Sequence, residues 1–113
     1  MKKDYDPLLT QEYLGDDYDS IEFTLANGIT DYDVRANVAS AFVNHKLYTI
    51  INIRVNKDIT IKFNSTVNPA ITLNSNRPFE LNNLIEIKEI YITNASGDTA
   101  TIKIFATRKG KGA

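Results

Sequence analysis

The chain has no cysteine and no tryptophan, and only one histidine and one methionine in 113 residues. Without cysteine there is no disulfide, no thiolate nucleophile and no cysteine-ligated zinc, so packing and strand pairing must carry the stability. With His45 as the sole imidazole, set between Asn44 and Lys46, a hydrolytic triad has one candidate base, and no G-x-S-x-G turn supplies a nucleophile. His45 reads as a solvated loop residue and the chain as a non-enzyme; a small hydrolase is a distant alternative. No apolar run approaches the roughly 18–20 residues of a membrane-spanning helix. Met1-Lys2-Lys3 leads into Asp4, Tyr5 and Asp6 instead of an apolar leader. The expectation is a chain made in the cytoplasm, with no membrane partner.

Charge of one sign is also lacking: the formal net charge is -1. Affinity for phosphate backbones comes mainly from clustered Lys and Arg, so a general nucleic-acid binder is not expected. The distribution is nevertheless uneven. Residues 1–19 hold Asp4, Asp6, Glu12, Asp16, Asp17 and Asp19 against Lys2 and Lys3, while Lys103, Arg108, Lys109 and Lys111 gather near the other end.

What is present is alternation. Ile21, Phe23 and Leu25 share one parity, as do Ile51, Ile53 and Val55, then Ile59, Ile61 and Phe63, then Ile71 and Leu73. This is the two-residue period of half-buried strands. Tyr32–Val34, residues from Phe79, Ile85–Ile92 and Ile102–Ala106 add further strands, and Asn27-Gly28 marks a turn. Val38, Ala41 and Phe42 fit one helical turn or a compact loop. The change of parity between Ile85/Ile87 and Ile90/Ile92 predicts a β-bulge near Lys88-Glu89. Asn94-Ala95-Ser96-Gly97-Asp98 predicts a five-residue hairpin connection. About eight short strands make an all-β chain, an antiparallel β-sandwich or jelly-roll-like domain over residues 20–107. Residues 1–19 read as an acidic extended arm and 108–113 as a flexible basic tail.

Asp16-Asp17-Tyr18-Asp19 has oxygen ligands but lacks the glycine and distant glutamate of a calcium loop, so no metal is expected, and no cofactor. The sequons at Asn64 and Asn94 read as coincidences of an asparagine-rich chain. Tyr32, Tyr48 and Tyr91 could stack on sugars if they shared a face, although tyrosines covering a sheet edge are the commoner arrangement. The arm has apolar anchors in Tyr5, Leu8, Leu9, Tyr13 and Leu14 beside the acids Asp16, Asp17 and Asp19. It is expected to dock on a neighbouring copy, received by Lys103, Arg108 and Lys109.

The phrases "YDVRAN" from Tyr32, "ITIKFNST" from Ile59, "NPAITL" from Asn68, "PFEL" from Pro78 and "IYITNASG" from Ile90 resemble a family of small all-β structural proteins of tailed bacteriophages and prophages. The resemblance covers about residues 21–105. It implies a virion protein with a sandwich or jelly-roll fold, no catalytic residues, other virion proteins as partners, and homo-oligomers. A capsid decoration or auxiliary head protein is the first expectation. A neck, tail or baseplate component, or a carbohydrate-binding adhesion module meeting host-surface glycans, is the alternative.

Overall fold

The computed structural model describes residues 17–108. It contains eight strands: β1 (Tyr18–Leu25), β2 (Ile29–Asp33), β3 (Tyr48–Val55), β4 (Ile59–Phe63), β5 (Ile71–Leu73), β6 (Phe79–Ile87), β7 (Ile90–Asn94) and β8 (Ala100–Thr107). One helical turn, α1 (Val34–Asn37), follows β2; Asp33 caps it by accepting a hydrogen bond from Ala36 N. The strands form two antiparallel four-stranded sheets, ordered β1-β8-β3-β6 and β2-β7-β4-β5. The pairs β1–β8, β2–β7, β3–β6 and β4–β5 nest inside one another. That is one long hairpin folded over into two layers, an antiparallel β-sandwich.

Alternation explains the layering. Ile21, Ile51, Ile53, Ile102, Ile104 and Ala106 of the first sheet face Ile59, Ile61, Phe63, Leu73, Ile90 and Ile92 of the second, and all are buried. Each of the isoleucine, leucine and phenylalanine side chains contributes about 1.5–3 kcal/mol of burial. The ring stacks Phe23–Tyr32 and Phe63–Phe79, at 5.9 and 6.0 Å, close the rims of this layer. Phe23 and Val55 are therefore partly buried at the margin, and Ile71 is 39% exposed on the free edge of β5, where no further strand covers it. The buried set also includes Leu25, Val34, Ala41, Phe42, Tyr48, Ile87 and Ala100.

Two local expectations are corrected. Residues 94–98 do not close a hairpin: β7 lies in one sheet and β8 in the other, so the segment arches between layers. The parity change at Lys88-Glu89 has the same cause, because the chain leaves β6 in the first sheet and enters β7 in the second. The irregularity lies earlier: between the pairs Tyr48–Ile87 and Ile50–Asn82, β3 has one residue and β6 has four, with Asn83 at φ 60°. This excursion turns Leu84 and Ile85 outward.

Asparagines brace the ends of the sandwich. Asn94, fully buried, donates from Nδ2 to the carbonyls of Leu25 and Asp98 and accepts at Oδ1 from Ser96 N and Oγ. Asn64, at φ 69°, donates to Glu86 O and accepts from the amides of Lys88 and Glu89. Both sequon side chains are thus engaged in holding loops.

Candidate functional site

The first described residues are pinned to the loop between α1 and β3. Asp19, on the inward parity of β1, is buried; its carboxylate accepts from Tyr48 Oη and from Asn44 N and Nδ2. Tyr48 Oη in turn accepts from His45 N at 3.1 Å. His45 Nε2 lies 2.5 Å from Asp17 Oδ1, and the imidazole packs edge-on against Tyr48. His45 is therefore a tethered residue of this loop and not a solvated one. Arg35 completes the brace by donating to the carbonyls of Lys88, Phe42 and Lys46 while its guanidinium sits 5.1 Å from the Phe42 ring centroid. These bonds hold Phe42 at φ 55°, a left-handed conformation that a bulky residue seldom adopts unaided.

The outer face of the first sheet follows from the ladder registers. Ser20, Phe105, Asn52 and Glu80 form one row across β1, β8, β3 and β6, and Glu22, Lys103 and Arg54 form the next. A shallow, open depression of about 470 Å³ lies over these rows, lined by Ser20, Glu22, Asn52, Arg54, Lys103 and Phe105 among others. Tyr18 stacks on Phe105 at 5.1 Å and makes an aromatic wall. Lys103 and Arg54 are direct cross-strand partners, a like-charge juxtaposition that opposes pairing. Glu22 approaches Lys103 only at 3.9 Å with both side chains largely exposed, so this ion pair is weak. Arg54 also borders a smaller depression of about 100 Å³ with Arg77, Ser75 and Asn76.

Large apolar side chains are exposed on the loop before β3 and the β2 edge, at Val43 and Ile29, and on the flank of β5 and β6. The free edges of β5 and β6 lie on one side of the sandwich, and the elements there expose Val67, Ile71, Leu84 and Ile85, Val67 and Leu84 by 87% and 77%. Exposed apolar side chains gathered on one flank mark contact surfaces more often than scattered ones do.

On the outer face of the second sheet, Lys62 Nζ lies 3.2 Å from Asp31 Oδ1, an ion pair without hydrogen-bond alignment at that otherwise buried oxygen. Asp31 N, at a residue with φ 51°, donates to Thr93 Oγ1. Tyr91 stands opposite Asp33 and Lys62 in the ladders. Desolvation, then the charges of Asp33, Glu89 and Asp31, raise its phenol above the ordinary value of 10.0. The folded protein therefore holds this proton more tightly than the unfolded chain. The associated stability is full below the unfolded pKa and is lost as pH rises through the folded one. A spectrophotometric titration should show a tyrosine ionising later than free tyrosine, and Tyr91→Phe should delete that late phase. A titration unchanged by the substitution would contradict the assignment.

The residues singled out from the sequence are thus dispersed. Asp19 is not free to meet a partner, because its carboxylate is consumed by Tyr48 and Asn44 inside the domain. Asp17 is paired with His45; Arg108, partly buried, lies 4.0 Å from Glu86; Lys103 remains exposed on the outer face. Tyr5, Leu8, Leu9, Tyr13, Leu14, Asp16 and Lys109 lie outside the described residues. Tyr32, Tyr48 and Tyr91 do not form a sugar platform: Tyr48 is buried, Tyr32 packs on Phe23, and Tyr91 is on the outside of the second sheet. Among the described residues no group of His, Asp and Glu is arranged to hold a metal ion, and no helix is long and apolar enough to cross a membrane. Comparison with models of known families, with characterised proteins and with solved structures returned no match.

Proposed function

We propose that the chain is a structural protein of a tailed-phage particle, without enzymatic activity, which decorates the capsid shell. The observation that carries this reading is the flank of free edges with Val67, Ile71, Leu84 and Ile85 exposed on a β-sandwich. Such a flank gives a rigid block an apolar seat against a neighbouring subunit, and the resemblance of the strand-and-turn phrases to phage structural proteins points the same way. Loops braced by Arg35, Asn64 and Asn94 keep the block stiff without disulfides, as suits assembly in a reducing cytoplasm.

Copy number in purified particles tests it. A decoration protein is expected in hundreds of copies per particle, and Leu84→Glu should lower occupancy while leaving the isolated domain folded. Tens of copies or fewer would move the protein to the neck, tail or baseplate. Its absence from particles would refute the reading.

A further inference from the structure

The outer face of the first sheet contains an unresolved electrostatic conflict. Lys103 and Arg54 face each other across β8 and β3, and Arg54 and Arg77 both line the adjoining depression. Glu22 is the one acid lining the larger depression, and it approaches Lys103 only at 3.9 Å. Like charges set side by side on a strand pair weaken it. Such a local violation marks a place where the folded chain gains something elsewhere. An incoming carboxylate would resolve the conflict, and the Tyr18–Phe105 wall beside it offers apolar surface to whatever side chains accompany the acid.

The chain has a segment of that composition. Residues 1–16 contain Asp4, Asp6, Glu12 and Asp16 against two lysines, interleaved with Tyr5, Leu8, Leu9, Tyr13 and Leu14. At Tyr18, β1 pairs with Thr107 at the end of β8, so the chain enters the domain at one end of this ladder, and the Glu22–Lys103–Arg54 row lies near its middle. That row lies four residues further along β1, about 13 Å at the rise of a strand. A chain's own segment would have to reverse direction to reach it; the segment of a second molecule would not.

We propose that the depression formed by Arg54, Lys103 and Phe105 receives the acidic segment 1–16 of a second copy of this chain. Reciprocal exchange about a two-fold axis would fill both depressions and close a dimer. The acceptor is thus the middle of the sheet face, where Lys103 is largely exposed, and not the Arg108 end, where the arginine is partly buried. The proposal takes from the proposed function only that copies of the chain meet.

Charge exchange between two full-length variants tests it by sedimentation equilibrium. One carries Arg54→Glu and Lys103→Glu, the other Asp4→Lys, Asp6→Lys, Glu12→Lys and Asp16→Lys. The unmodified chain should self-associate, more weakly as salt rises. Each variant alone should show a dissociation constant at least tenfold higher, and their equimolar mixture should recover association. If the first variant proves misfolded by circular dichroism, Arg54→Gln with Lys103→Gln replaces it, with the same tenfold weakening expected and the mixture no longer restored. An unmodified chain that stays monomeric overturns the proposal, as does a mixture of the charge-reversed variants that associates no better than its parts. Neither result bears on copy number in particles, by which the virion role stands or falls separately.

Discussion

Replacing Asn94 with aspartate is expected to lower stability by about 3–5 kcal/mol at neutral pH, although the two side chains have nearly the same shape. Asn94 Nδ2 donates to the carbonyls of Leu25 and Asp98 at 2.8 Å each, tying the end of β1 to the arch between β7 and β8. Aspartate would set an acceptor oxygen against two acceptor oxygens and bury a charge at a site with no exposure. The substituted carboxyl would hold its proton more tightly in the folded state than in the unfolded one. Its penalty should therefore be small at low pH and grow as pH rises through the unfolded value. Denaturant titrations at acidic and neutral pH would show the difference; equal midpoints for variant and parent at neutral pH would refute the role given to Asn94.

Ile92→Ala should lower stability by about 2–5 kcal/mol, a large share of the 5–15 kcal/mol typical of a domain. Ile92 is completely buried and stands directly opposite Ile61 in the ladder between β7 and β4. Two central strands meet there, so neighbours cannot collapse into the vacated space without disturbing a ladder. Ile92→Val, losing a single methylene, should cost about 0.5–1.5 kcal/mol and calibrates the site. A urea midpoint for the alanine variant within error of the parent would mean that the residue does not occupy the core.

The strands were legible from sequence because a half-buried strand repeats every second residue, and Ile21, Ile51, Ile61 and Ile102 report that period directly. Sheet membership was not legible. A parity change at Lys88-Glu89 looks the same whether a strand bulges or the chain changes layers, and only long-range pairing separates the two. The depth at which Tyr48, Phe42 and Val34 are buried was not legible, because it follows from long-range contacts and not from a local period. Phe42 owes its position to Arg35, seven residues away, and Tyr48 to Asp19 in another strand. Asp19 was read as part of the acidic arm because composition counts charge without regard to direction. Its parity with Ile21 was the available signal that it points inward, and β1 accordingly begins at Tyr18. A deletion meant to remove only the arm must end at residue 16, since cutting to 19 also removes the partner of Tyr48. The depression around Arg54 and Lys103 had no sequence signature, because cross-strand neighbours separated by half the chain meet only once the register is known.

The pairing of Tyr18 with Thr107 has a mechanical consequence. The first and last strands of the chain are antiparallel, and their ladder runs over eight residue pairs from Tyr18–Thr107 to Leu25–Ala100. Tension that draws the two ends of the chain apart therefore acts on the first pair alone and peels the ladder open one pair at a time. A tug on the leading segment along the axis of β1, with the body of the domain held by its far end, instead loads all eight pairs together in shear. A protein anchored through its leading segment is strong or weak according to which of these directions the load takes, and that direction is set by where on the neighbouring subunit the segment is gripped.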